Sequence, residues 1–187
     1  MVKKNSCVFI SGTGTNLKAL IQNSRRYNFP ITIKLIISNK KEAKGINLAK
    51  RFSIPFVIIN TKKTNYENQL IKILNDKDIS IICLAGYMKI LSKNFISNFK
   101  GKIINIHPSL LPKYKGTNTF SRILKNKEKK AGCTVHYVNE KLDSGKIILK
   151  KSFEISNNEN INSLKKKTQK MEHIAFSEAI TRIFLQY

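Results

Sequence analysis

Asn105 and His107 stand two positions apart at the end of Lys102-Ile103-Ile104, a short apolar run that reads as a buried strand. At strand spacing, residues two apart lie on one face. An amide that donates a hydrogen bond and an imidazole that can carry a proton or a positive charge then point the same way. Such a pair suits a carbonyl oxygen that becomes an oxyanion. Pro108 and Pro112 stop regular structure after it and stiffen the loop. A strand-end Asn or His is often only structural, so the pair gains meaning from partners elsewhere.

A second stretch is Ser11-Gly12-Thr13-Gly14-Thr15-Asn16. It follows the apolar run Cys7–Ile10 and precedes Leu17, Leu20 and Ile21, which recur at helical spacing. A strand, a glycine-rich turn and a helix start can aim several backbone N–H groups at one anion. The dinucleotide fingerprint would need a glycine where Leu17 stands and an acid near Lys34–Ile37, and the Gly-Lys-Ser/Thr ending of a P-loop is absent. The stretch therefore reads as a monophosphate site, with an ordinary βα turn as the alternative.

The elements around these residues alternate. Strands are expected at Cys7–Ile10, Ile31–Ile37, Pro55–Ile59 and Ser80–Leu84, and in the run that ends at Asn105. Helices are expected at Lys41–Arg51 and Asn65–Leu74, and a short one at Phe120–Leu124. This order argues for an α/β fold with a mostly parallel, doubly wound sheet, whose ligands gather beyond the C-terminal strand ends. The loops after Ile10 and Asn105 should then share an edge. Ala85–Leu91 ends the fourth strand and could line a pocket for a flat ring or belong to the core. Ala131–Val138 and Lys146–Ile155 read as a hairpin-like pair, separated by the acidic turn 139–145. His136, with Thr134 and Val138 on its face, reads as structural. A terminal helix, Ile161–Leu185, has Leu164, Met171, Ile174, Ala175 and Ile180 available for an apolar face, and Lys165–Lys167 should face solvent. No linker or repeat divides the chain, so residues 1–187 read as one domain.

The chain has 187 residues, 41% of them hydrophobic, which suits a globular fold with a sizeable core. Cys7, Cys83 and Cys133 are far apart and odd in number; buried free thiols in a reducing cytoplasm are the expectation. The apolar run behind Met1-Val2-Lys3-Lys4 is too short for a signal peptide, and no stretch reaches transmembrane length. The net charge of +24, from 35 basic and 11 acidic residues, would ordinarily suggest nucleic acid. Here the lysines are spread over every segment, without an aromatic-rich basic stripe, so no specific nucleic-acid partner is expected. A positive field also favours small anionic substrates.

Four motifs then occur in order: Ser11–Asn16, Gly86-Tyr-Met-Lys-Ile-Leu91, Asn105-Ile-His-Pro-Ser-Leu-Leu-Pro112, and Gly132-Cys-Thr-Val-His-Tyr-Val followed by Leu142-Asp-Ser-Gly145. Over nearly its whole length the chain resembles the phosphoribosylglycinamide formyltransferases. The resemblance implies a Rossmann-like formyltransferase fold, with a phosphate-binding half at about 1–100 and a folate and catalytic half at about 101–187. It implies formyl transfer from 10-formyltetrahydrofolate to the amine of glycinamide ribonucleotide in purine synthesis. It also implies Asn105, His107 and Asp143 as the catalytic trio. Gly12, Thr13, Gly14, Thr15, Asn16 and Glu172 would bind the ribonucleotide. Lys63, Met88, Lys89, Ile90, Leu91 and Asn105 would bind the folate, backbone groups of Met88–Leu91 contacting the ring. Lys63 and Lys89 stand where relatives often carry Arg, which keeps the charge and loses the planar fork. Thr117-Asn118-Thr119-Phe120 departs from a His-rich turn of some relatives and receives no role.

Direct attack by a neutral amine needs no nucleophilic Ser or Cys, so Ser109 near His107 is no triad member, and no metal is expected. Asp143 beside His107 should favour the imidazolium and raise its pKa. The expected partners are small molecules, with no membrane, in a cytoplasmic monomer or homodimer. Methionyl-tRNA formyltransferase adds a C-terminal RNA-binding domain, and formyltetrahydrofolate deformylase an N-terminal regulatory one. Neither addition is expected here, and water as acceptor has no use for the 12–16 loop.

Overall fold

The computed structural model describes residues 2–185. Seven strands form one sheet in the order β3-β2-β1-β4-β5-β6-β7. The chain divides into two compact units, one up to Ile104 and one from Asn105 onward.

In the first unit, β1 (Lys4–Ile10) pairs in parallel with β2 (Ile31–Ser38) on one side and β4 (Ile81–Leu84) on the other, and β2 pairs in parallel with β3 (Phe56–Ile58). Val8, Phe9, Ile10, Ile36, Ile37, Ile81 and Ile82 are fully buried, as continuous apolar strands of a parallel sheet require. Strand order reverses at β1, so the loops leaving β1 and β4 flank a topological switch point.

Helix α1 (Thr15–Ser24) buries Leu17, Leu20 and Ile21. Gly14 precedes it at φ 77°, a left-handed conformation that glycine adopts without cost. A Cβ there would lie 2.8 Å from Cα of Gly45, and Gly45 N–H donates to the Gly12 carbonyl at 3.0 Å. This backbone-to-backbone contact fixes where α2 begins. It spans Gly45–Arg51, shorter than the expected Lys41–Arg51, and the residues before it form turns. Helix α3 (Tyr66–Asp76) buries Leu70 and Leu74. Helix α4 (Lys93–Asn98) was not expected: six residues are too few for periodicity, and only Phe95 is buried. Its legible signal is Ser92, whose Oγ accepts the Phe95 N–H at 3.0 Å as an N-cap. Phe95 and Tyr87 both pack edge-on to Phe9.

β5 (Lys102–His107) runs two residues beyond Asn105, as far as Pro108 permits. In the second unit, α5 (Thr119–Lys125) precedes β6 (Lys130–Tyr137), which pairs antiparallel with β7 (Ile147–Glu154). The register shifts between Val135 and His136: Val135 faces Leu149 and His136 faces Ile147. Helix α6 (Ile161–Phe184) opens with a capping box of Asn160 and Ser163. It packs on β6 and β7 through Leu164, Thr168, Glu172, Ala175, Phe176, Ala179 and Ile180. The expected face thus gains Thr168, Glu172, Phe176 and Ala179; Met171 is only half-buried and Ile174 is 45% exposed. Lys165 and Lys166 face solvent, while Lys167 is half-buried and pairs with Glu159 at 2.5 Å.

Candidate active site

The second unit gathers Asn105, His107, His136 and Asp143 around one carboxylate. Asn105 and His107 come from one face of β5, His136 from β6, and Asp143 from the turn between β6 and β7. Asp143 takes a left-handed conformation at φ 47°, and a Cβ on Gly145 would collide with the Tyr137 carbonyl, so the turn folds tightly against β6. Oδ2 of Asp143 lies 3.2 Å from Nδ1 of His107 and accepts the Gly116 N–H at 2.9 Å. Oδ1 lies 3.6 Å from Nε2 of His136 and accepts from Nδ2 of Asn105 at 3.4 Å. Asn105 Nδ2 is also 3.3 Å from Nε2 of His136, whose Nδ1 donates to the Tyr137 carbonyl at 2.8 Å. Nε2 of His107 donates to the Tyr114 carbonyl at 2.9 Å.

The cluster is buried apart from half-buried Asn105. Burial pushes the Asp143 carboxyl upward, but the His136 contact, the Gly116 N–H and both imidazoles outweigh it and hold it below its usual value. For His107 the balance runs the other way. Burial lowers its pKa and prevails over the Tyr114 carbonyl and Asp143, both of which raise it. The expected increase is therefore overturned, because desolvation of the ring exceeds the pull of the carboxylate.

His136, which the strand pattern gives a structural role, is buried beside Asp143 and Asn105 as a partner of the carboxylate. The register shift beside it puts the extra residue, Ile148, on β7, so β6 keeps its alternation and His136 stays on the face of Thr134. Ser109 is structural, as expected: its Oγ donates to the Lys113 carbonyl at 2.6 Å. Thr134 pins the same loop, donating to the Ser109 carbonyl at 2.7 Å and accepting the Leu111 N–H at 3.0 Å. Glu172 is buried on α6; burial first, and then the charge of Glu172, pushes the Cys133 thiol up to about 12.

In the first unit, Gly12 faces open space, Gly14 packs on α2, and Thr15 and Asn16 open α1. The first turn of α1 carries no acidic residue, and Gly14 supplies no side-chain cap. Ser11 Oγ donates to Oδ1 of Asn39 at 2.6 Å and accepts the Met88 N–H at 2.8 Å, tying this loop to the turn after β4. In that turn Tyr87 and Leu91 are buried, whereas Met88 and Ile90 are 73% and 72% exposed and Lys89 is exposed. The Met88 N–H is thus already taken. Lys63 is exposed on the segment before α3. All three cysteines are buried free thiols. Among the described residues no cluster of three metal-ligating side chains occurs, and no helix is long and apolar enough to cross a membrane.

The mostly parallel α/β sheet belongs to a formyl transferase: residues 4–180 match the formyl transferase family model, and the chain belongs to that family. Within it, the chain is similar to the phosphoribosylglycinamide formyltransferase of Haemophilus influenzae, 40% identical over 91% of this chain and 82% of the relative. The crystal structure of phosphoribosylglycinamide formyltransferase from Brucella melitensis superposes with a TM-score of 0.93 at 35% identity, covering 99% of this chain and 97% of that one. The trifunctional purine biosynthetic protein adenosine-3 of Gallus gallus is 38% identical over 95% of this chain. The chain spans 18% of the length of that relative.

Proposed function

We propose that this protein transfers the formyl group of 10-formyltetrahydrofolate to the amine of glycinamide ribonucleotide, a step of de novo purine biosynthesis in the cytoplasm. The observation that carries the reading is the Asp143 carboxylate, which holds Asn105, His107 and His136 together. The roles follow from chemistry. The amine nitrogen bonds to the formyl carbon, whose carbonyl oxygen becomes an oxyanion. Asn105 Nδ2 supplies a direct donor, a kind of contact often worth about 3–4 kcal/mol in the transition state. Both nitrogens of His107 are engaged by Asp143 and Tyr114, so the ring helps the oxyanion as a positive charge when protonated, a form that burial disfavours and Asp143 favours. The amine's proton passes to Asp143, directly or through water, and returns to the nitrogen that departs as the C–N bond to the folate breaks.

The ribonucleotide phosphate belongs to Gly12–Asn16, where open space over Gly12 and a helix start without acidic residues suit a dianion. Glu172 belongs to the glycinamide. Met88 and Ile90 suit the face of a pterin ring as exposed apolar side chains, with Lys63 and Lys89 available for the anionic tail of the folate. Because Ser11 takes the Met88 N–H, backbone contacts to the ring belong to the rest of the 88–91 turn. No step needs a metal. Formyl transfer assayed with and without glycinamide ribonucleotide tests the reading. A formylated amine formed only in its presence is expected; release of formate at the same rate without it would make water the acceptor and refute the assignment.

A further inference from the structure

Tyr114 lies in the turn after Pro112, and its main chain and side chain do different things. Its carbonyl accepts the Nε2–H of His107. Its backbone is left-handed at φ 59°, a conformation that a non-glycine residue keeps only where its surroundings hold it. The hydroxyl donates to Oε1 of Glu128 at 2.8 Å and accepts from Nδ2 of Asn126 at 2.9 Å. The ring lies under the Arg122 guanidinium, 5.3 Å from its centroid, and Arg122 also donates to the Lys115 carbonyl at 2.7 Å. Lys113 pairs with Glu128 at 2.8 Å.

We propose that Tyr114 is a positioning residue for His107: its hydroxyl, latched to Glu128, holds the Tyr114 carbonyl against Nε2 and so fixes where the imidazole carries its protons. This rests on reading His107 as the catalytic imidazole. The ring stands between two acceptors, the Tyr114 carbonyl and the Asp143 carboxylate. A neutral imidazole has one N–H for the two. Only the imidazolium, with an N–H at each nitrogen, satisfies both acceptors, so a carbonyl held against Nε2 favours the second proton. The charged groups that bear on His107 are Asp143, which favours the imidazolium, and His136 and Arg122, which oppose it. The latch favours the imidazolium without placing a charge at the site. Its hydroxyl can be removed without emptying the core, because Tyr114 and Glu128 line a cavity of about 320 Å³ together with Leu110, Ile123 and Lys150.

Tyr114→Phe keeps the ring over Arg122 and deletes the hydroxyl, Glu128→Ala deletes its acceptor, and Glu128→Gln keeps an oxygen there. In the first two, the NMR titration of His107 should move about half a pH unit lower, and kcat should fall about threefold to tenfold with KM for both substrates within about twofold. Glu128→Gln should restore both. A merely structural role would lower Tm and leave the titration in place. The titration is read without substrate, so it judges the latch independently of the reaction. Parent enzyme that fails to formylate the ribonucleotide strikes the proposed function, whereas an unmoved His107 titration in Tyr114→Phe and Glu128→Ala, or no rescue by Glu128→Gln, overturns the latch.

Discussion

Oδ2 of Asp143 lies 3.2 Å from Nδ1 of His107, and both side chains are buried. Asp143→Asn keeps the shape and removes the charge. Because Asp143 raises the His107 pKa against a larger lowering by burial, its loss should move the His107 titration further below the ordinary histidine value. With one preorganised electrostatic contribution gone, turnover should fall about a hundredfold or more. Binding of both substrates should stay nearly intact. Steady-state kinetics and an NMR titration of His107 check this. Near-normal turnover or an unmoved titration would remove the basis for the pairing.

The two glycines of the first loop should respond differently to substitution. Gly12 faces open space, so Gly12→Val should fold normally and place its side chain where the phosphate would approach the backbone. Ribonucleotide affinity should fall by about tenfold or more, a loss of at least about 1.4 kcal/mol, with folate affinity unchanged. Gly14→Val instead forces a β-branched residue into a left-handed conformation and against Gly45, so it should lower stability as well. Calorimetric titration with each ligand and thermal melts separate the cases; equal loss of both ligands in Gly12→Val would argue against a phosphate site there.

The strands and the Asn105–His107 pair were legible because buried parallel strands are continuous apolar runs and a spacing of two fixes a face. What escaped the sequence was set by contacts between distant backbones or by local irregularity. The Gly14–Gly45 contact shortens α2 at its start. Ser92 caps a helix too short to show a period. His136 meets Asp143 only because the turn after β6 folds back on it, a long-range contact that strand spacing does not reveal. The direction of the His107 pKa was misjudged because the charge partner could be guessed from residue types, whereas the depth of burial could not.

The excess of 24 positive charges should give weak, salt-sensitive association with any polyanion and no preference among sequences or structures. Filter binding with several DNA and RNA duplexes and hairpins should show retention at low salt that disappears near physiological salt. Tight retention of one nucleic acid at physiological salt would mean that the lysines form a built surface.

His173 is a titratable group outside the cluster with a buried ring nitrogen. It is half-buried on α6, and its Nε2 has no hydrogen-bond partner among the described residues. Burial lowers its pKa. A histidine whose folded pKa is depressed contributes stability that is full above its unfolded value, about 6.5, and is lost as pH falls from there through the folded value. His107 behaves in the same direction. Thermal stability should therefore decline between about pH 7 and pH 5, by about 2–4 °C in Tm for each kcal/mol lost, before the carboxylates titrate. General repulsion in a strongly cationic chain would produce a similar decline, but salt would screen it. His173→Leu removes the titrating group and the unpartnered nitrogen together. Measured at high salt, its Tm should fall less steeply over this range than that of the parent, and parallel curves would show that the buried His173 imidazole does not set the acid limit.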